Sequence, residues 1–172
     1  MKRSFLLLVF MIYFSGMHAQ APISEGNFQL NAGFGFSGHG LPVYGGLDYG
    51  VHKDITIGGE LSYRSYSNRW GGSKYSHNVL GISGNANYHF NSILNIPSPW
   101  NFYAGLNLAY YNWNSGSGYR GSYSSGIGLG AQIGGRYYFN EQFGINLELG
   151  GGNVFSGGKN WNYIPILVSY YN

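Results

Sequence analysis

Asp48, Glu60, Arg64, Arg136 and Glu148 are the residues of this sequence best spaced for joint chemistry. Each stands in the polar phase of an alternating segment, with apolar or small neighbours on both sides. Carboxylates and guanidiniums brought together form ion pairs, whereas carboxylates left facing one another raise each other's proton affinity. Two tight connections set the spacing. If Phe139 pairs with Phe143, Arg136 stands opposite Asn146 and diagonal to Glu148. If Val51 pairs with Ile55, Asp48 is diagonal to Glu60. Diagonal same-face neighbours are ~7–8 Å apart, within an arginine's reach. The expectation is a network of these three carboxylates and two arginines across an interior. It would gate ions in its functional form and be satisfied interior packing in its structural form.

A second set, Arg69, Trp70, Lys74, Trp113, Arg120, Lys159 and Trp161, falls in connections rich in Gly, Ser and Asn. Basic and aromatic side chains together suit phosphates and sugars; the plain alternative is solvated loops with interfacial tryptophans. Catalytic sets are not evident. Ser37 and His39 are close in sequence, but no acid stands at a strand-compatible spacing beside them. His52, His77 and His89 lack partners that resemble a metal set. The glycines between Gly126 and Gly135 are strand glycines and not a phosphate loop, because no helix follows. No catalytic residue, cofactor or metal is expected.

The elements that must carry these residues show a period of two. From Ser124 to Phe139, Ile127, Leu129, Ala131, Ile133, Tyr137 and Phe139 share one parity, and Gly128, Gly130, Gln132, Gly134 and Arg136 the other. Seven more segments repeat the pattern: Asn27 to about Ser37, Val43 to about Val51, Ile55 to about Tyr66, His77 to Phe90, Trp100 to about Tyr111, Phe143 to Gly150 and Asn162 to Tyr171. The connections after the third, fifth and seventh (Ser67–Ser76, Asn112–Ser122, Gly151–Trp161) read as long loops, and those after the second and sixth as tight turns. Pro165 interrupts the last strand at the polar parity, where its missing N–H needs a bulge or a strand start.

Composition narrows the class. The chain has 172 residues, no cysteine, 19% aromatic residues and 9% charged ones. That charged fraction is far below the ~25% of soluble domains. Lys2 and Arg3, the apolar Phe5–Phe14 and Ala19 read as a cleaved export signal over 1–19. A short lead (20–26) and one domain (27–172) follow. Removing Lys2 and Arg3 takes the formal charge from +3 to +1 (3 − 2), which argues against nucleic acid as a partner. The polar strand faces are mostly Gly, Ser and Asn, too poorly charged to face water, and the apolar faces carry no charge. Lipid outside and a narrow filled lumen inside account for both. The fold class expected is therefore an all-β, eight-stranded antiparallel up-and-down transmembrane barrel.

With these alternating strands, and with a terminal I-L-V-S-Y-Y-N like an aromatic-ended last strand, the chain resembles the eight-stranded OmpA/OmpX-type outer-membrane barrels. The resemblance implies an integral protein of a bacterial outer membrane, with short periplasmic turns and external loops. It implies insertion by barrel-assembly machinery and contact with membrane lipid and lipopolysaccharide, without a peptidoglycan-binding domain. The function expected is a non-enzymatic structural or surface-interaction protein with a filled lumen. A narrow porin-like channel and a loop-mediated adhesin or lipopolysaccharide binder are the alternatives.

Overall fold

The computed structural model describes residues 23–37, 40–119, 125–155 and 159–171. The expected leader, the start of the lead, His39 and Arg120 lie outside the described residues. Eight strands run in order: β1 (Phe28–Ser37), β2 (Val43–His52), β3 (Ile55–Trp70), β4 (Ser73–His89), β5 (Trp100–Ser115), β6 (Gly126–Tyr138), β7 (Phe143–Val154) and β8 (Lys159–Tyr171). Each pairs antiparallel with the next, and β8 closes on β1, making a closed barrel. One helical turn, α1 (Asn91–Leu94), sits in the β4–β5 connection.

Alternation decides which side each residue faces. Leu30, Leu61, Ile82, Leu106, Ile133 and Val168 are exposed on the outside, whereas Gln29, Thr56, His89, Asn101, Asn146 and Ser169 are buried within. This is the reverse of a water-soluble barrel and suits a hydrocarbon surround.

The 30 glycines and 17 tyrosines have a shared cause inside. A Cβ on Gly134 would lie 2.2 Å from Cζ of Tyr103, and one on Gly150 would lie 2.3 Å from Cζ of Tyr163. One on Gly81 would meet the Tyr111 ring at 2.8 Å. Eight strands enclose a space just wide enough for side chains. Bare backbone on one strand is what lets a large ring from another lie down.

Three local features depart from the alternating pattern. Pro165 breaks the β7–β8 ladder: partners run from Phe143↔Tyr170 to Leu147↔Ile166 and resume at Gly150↔Tyr163. Its other neighbour keeps register, as Gly35↔Pro165. Near the β2–β3 turn a register shift between Gly50 and His52 pairs His52, and not Val51, with Ile55, yet Asp48 still faces Gly58. The described part of the short lead is packed. Ile23 is buried, and Gly26 N–H donates to Gly50 O and Gly50 N–H to Asn27 O, both at 2.9 Å. A Cβ on Gly50 would lie 2.3 Å from Ser24 O, so glycine there lets the strap cross the end of the barrel that holds both termini.

The β3–β4 loop is corrected to a tight turn, and the connections after β5 and β7 start later than expected. Residues 67–70 and 73–76 continue β3 and β4, with register kept to Trp70↔Ser73. Gly71 (φ +58°) and Gly72 (φ +87°) make the two-residue turn, a conformation that glycine adopts without steric cost. β5 likewise continues to Ser115 and β7 to Val154. Beyond the apolar band both strand faces are polar, so the hydrophobic period that marks a strand disappears from the sequence while the ladder continues.

Candidate functional site

The lumen is organised around Arg136. Its strand, β6, points it inward, and Nη2 donates to Asp48 Oδ2 of β2 at 2.6 Å, across the barrel. The guanidinium also lies over the Tyr103 ring, 4.6 Å from the centroid, a contact that strengthens when water is excluded. Asp48 is supported in turn. Asn31 Nδ2 donates to Oδ2 at 3.0 Å, and Asn31 Oδ1 accepts from Gln29 Nε2 and Ser169 Oγ, each at 2.7 Å. The Tyr138 hydroxyl donates to Gln29 Oε1 at 2.5 Å. Charge-assisted bonds backed by a chain of neutral ones are the arrangement in which a buried ion pair offsets its desolvation.

The five charged residues do not all converge. The register sets Arg136 opposite Asn146 and two residues from Glu148's partner Gly134, but the guanidinium turns to Asp48. Glu148 instead accepts the Tyr103 hydroxyl on Oε2 at 2.7 Å, while Asn146 Nδ2 donates to that hydroxyl at 2.9 Å. Arg64 leaves the group. It donates to Ser37 Oγ at 2.8 Å and lies over Trp113 at 5.0 Å, toward the end opposite the termini. Glu60 lines a small cavity with Asp48, Arg136 and Glu148.

Neutral groups outside the expected charge network complete the filling. Asn107 Nδ2 donates to Gln132 Oε1 at 2.7 Å, and Gln132 Nε2 to Asn87 Oδ1 at 2.8 Å. His89 Nε2 lies 3.0 Å from Thr56 Oγ1, and Nδ1 lies 3.0 Å from Asn101 Oδ1. Asn101 Nδ2 is used on Asn91 Oδ1, so its oxygen accepts from Nδ1–H and the neutral ring accepts the threonine proton through Nε2. Hydroxyl, imidazole and amide in that order are the parts of an acyl-transfer site. Thr56, His89 and Asn101 are each at most 1% exposed, so no substrate carbonyl reaches the hydroxyl, and the chain serves as packing. The signal for the strand residues among them was parity: each lies on the polar phase of its strand, whereas Asn91 begins α1.

The second set is spread along strand ends. Arg69 and Lys74 are exposed and directly opposite each other near the β3–β4 turn. Trp70 ends β3, and Lys159 and Trp161 fall at the start of β8. Trp113, expected in an outer loop, lies in β5 and turns inward, where it meets Tyr66 at 6.4 Å and Arg64. His77 joins this cluster, stacked on Tyr66 at 5.1 Å with Nε2 2.7 Å from Asn68 Oδ1. Ser37 Oγ accepts from Arg64. Among the described residues no three metal-ligating side chains gather.

No protein-family model and no curated protein matches the chain. Solved structures do. The N-terminal β-barrel domain of OprF from Pseudomonas aeruginosa superposes with a TM-score of 0.60 at 21% identity, over 86% of this chain and 98% of that one. OprG, an outer-membrane protein of the same organism, gives 0.62 at 12% identity over 87% and 97%. Ail, the attachment invasion locus protein of Yersinia pestis, in complex with the heparin analogue sucrose octasulfate, gives 0.61 at 11% over 86% and 99%. With the closed, inward-polar sheet, these likenesses give the chain the fold of the small eight-stranded outer-membrane barrels.

Proposed function

We propose that the protein is an integral barrel of a bacterial outer membrane, exported by its N-terminal leader, that has no enzymatic activity and acts at the cell surface. The observation that carries this reading is the β3–β4 ribbon. The last residue of β3 paired with β2 is Tyr63, facing Val43. From Arg64 to Trp70, β3 has β4 as its ladder partner among the described residues. Because β5 still pairs with β4 as far as His77↔Ser115, the pairs from Ser67↔Ser76 to Trp70↔Ser73 form the free ribbon, and at ~3.3 Å per residue they stand roughly 13 Å clear of the closed sheet. Near its tip Arg69 and Lys74 face each other on the outer side. Like charges directly opposite on a sheet repel, and an anionic partner turns that cost into attraction.

Lipopolysaccharide phosphate is the partner nearest to hand in such a membrane. The sulfated ligand in complex with Ail supports a polyanion on a barrel of this shape. Purified protein is expected to bind lipopolysaccharide micelles in a salt-sensitive way, and Arg69→Gln with Lys74→Gln to weaken that binding about tenfold, on the order of 1 kcal/mol for two exposed charge-assisted contacts. Binding unaffected by the double substitution would remove the ribbon from the reading. Retained binding to heparin with loss of lipopolysaccharide binding would assign the cations to membrane sugar phosphate, and the reverse to a sulfated host glycan. The filled lumen supports silence in planar bilayers; discrete channels would restore the narrow-pore alternative.

A further inference from the structure

The lumen keeps a cavity of about 20 Å³ at mid-height, bounded by Asp48, Glu60, Arg136 and Glu148 with Asn85 and Asn146. A buried water needs ~10–15 Å³ and two to four polar partners, so there is room for one. Two features of the wall indicate what belongs there. Arg136 is 2% exposed, and its Nε and Nη1 have no hydrogen-bond partner. Donors buried in this way call for an acceptor within reach.

The second feature is charge. Arg136 is held by Asp48 at 2.6 Å, which leaves Glu60 and Glu148 without an ion-pair partner among the described residues. Arg64, on the same strand as Glu60, is turned to Ser37 and Trp113. The remaining titratable groups facing the pair are phenols: Tyr44 from β2, Tyr103 and Tyr111 from β5, and Tyr163 from β8. β1 and β4 contribute the neutral Asn31, Asn85 and Asn87. Two carboxylates around one small cavity, Glu148 buried and Glu60 half-buried, disfavour each other's ionisation.

We propose that this cavity is a proton-binding site, in which Glu60 and Glu148 share one proton through a single water held at the unpartnered edge of Arg136. The water accepts from a guanidinium N–H and from the protonated carboxyl and donates to the ionised one, so an orphaned donor and the surplus negative charge are met by one arrangement. Glu148 is fixed by the Tyr103 hydroxyl at 2.7 Å. Glu60 is half-buried and is the member through which the proton exchanges with solvent. The site depends on the closed lumen and is independent of what the ribbon binds.

Infrared spectroscopy of the protein purified in detergent tests it. At neutral pH the wild type shows the carbonyl stretch of a protonated carboxyl, which shifts on deuterium exchange. Glu60→Gln and Glu148→Gln each abolish the band, because the carboxylate left alone ionises beside Arg136 or solvent. Absence of the band in the wild type, or its survival in either variant, overturns the site. Heat-modifiable gel migration checks that each variant has folded. If one has not, the wild type alone decides: unfolding in denaturant at neutral pH releases one proton to the medium from the pair, and no release overturns the proposal.

Discussion

Around the closed sheet every strand has two neighbours, whereas beyond Tyr63 the ribbon strand β3 has one. The same alternating code gives opposite results in the two places. In the barrel one parity is committed to lipid and the other to a narrow interior, so each inward side chain meets a group from another wall. Arg136 reaches Asp48 and Tyr138 reaches Gln29 by crossing that space. In the outer part of the ribbon, beyond His77, β3 and β4 have only each other, and nearer the base order comes from β5 pairing with β4 and from stacked rings, Tyr66 on His77 and His77 against Tyr119 at 4.7 Å. A two-stranded hairpin is marginal alone. The ribbon therefore depends on the barrel for its stability, and the barrel does not depend on the ribbon.

The largest effect expected from breaking this comparison is at Arg136. Arg136→Ala leaves Asp48, itself 3% exposed, as a buried charge without its cation, which costs ~3–5 kcal/mol. The shift should appear in the urea midpoint of barrel unfolding followed by gel migration. Asp48→Asn added to Arg136→Ala should recover a substantial part, because the orphaned charge is then gone. Arg69→Gln in the ribbon should move the same midpoint by less than ~0.5 kcal/mol. Equal shifts from the two arginines would mean that the lumen pair is as solvated as the surface one.

A smaller effect separates inside from outside within the barrel itself. Gly134→Ala places a methyl group 2.2 Å from the Tyr103 ring and pushes that phenol from Glu148; overpacking of this kind costs ~1–3 kcal/mol. Gly45→Ala, on the lipid face of β2 with nothing within 4 Å of the new carbon, should be tolerated within ~0.5 kcal/mol. Tyrosine fluorescence and urea midpoints read both. Equal tolerance would show that the lumen rings move freely, and would contradict their role as filling.

The sequence made the barrel legible because lipid imposes a strict rule: no charge on one parity and nothing large on most of the other. Leu30 to Phe36 and Ile127 to Ile133 satisfy it residue by residue. Register near the tight turns was legible too, since short connections fix it: Arg136 faces Asn146 and Asp48 faces Gly58. The choice among partners was not. Whether Arg136 takes diagonal Glu148 or distant Asp48 depends on side-chain reach across the lumen, and on the Tyr103 ring that Gly134 admits between them. Pairwise register does not carry that information. The ribbon was missed for a different reason. Ser65, Ser67 and Arg69 alternate with Tyr66 and Asn68, with no hydrophobic face, because outside the membrane none is needed.

The ribbon's turn offers the smallest and most local test. Gly71 and Gly72 both have positive φ, +58° and +87°, where an L side chain costs ~1–2 kcal/mol. Gly71→Ala should therefore loosen the ladder from Arg69↔Lys74 downward without touching the lumen. Hydrogen exchange by mass spectrometry is expected to show faster exchange over Ser67–Ser76 and no change over Gly128–Arg136. That outcome would make the ribbon a separate opening unit, free to adjust to an anionic surface while the barrel stays closed. Faster exchange throughout β6 as well would mean that strain at the tip travels down the shared strands. Ribbon and lumen would then be one cooperative structure, and a partner bound at Arg69 and Lys74 would act on the interior charges through the fold.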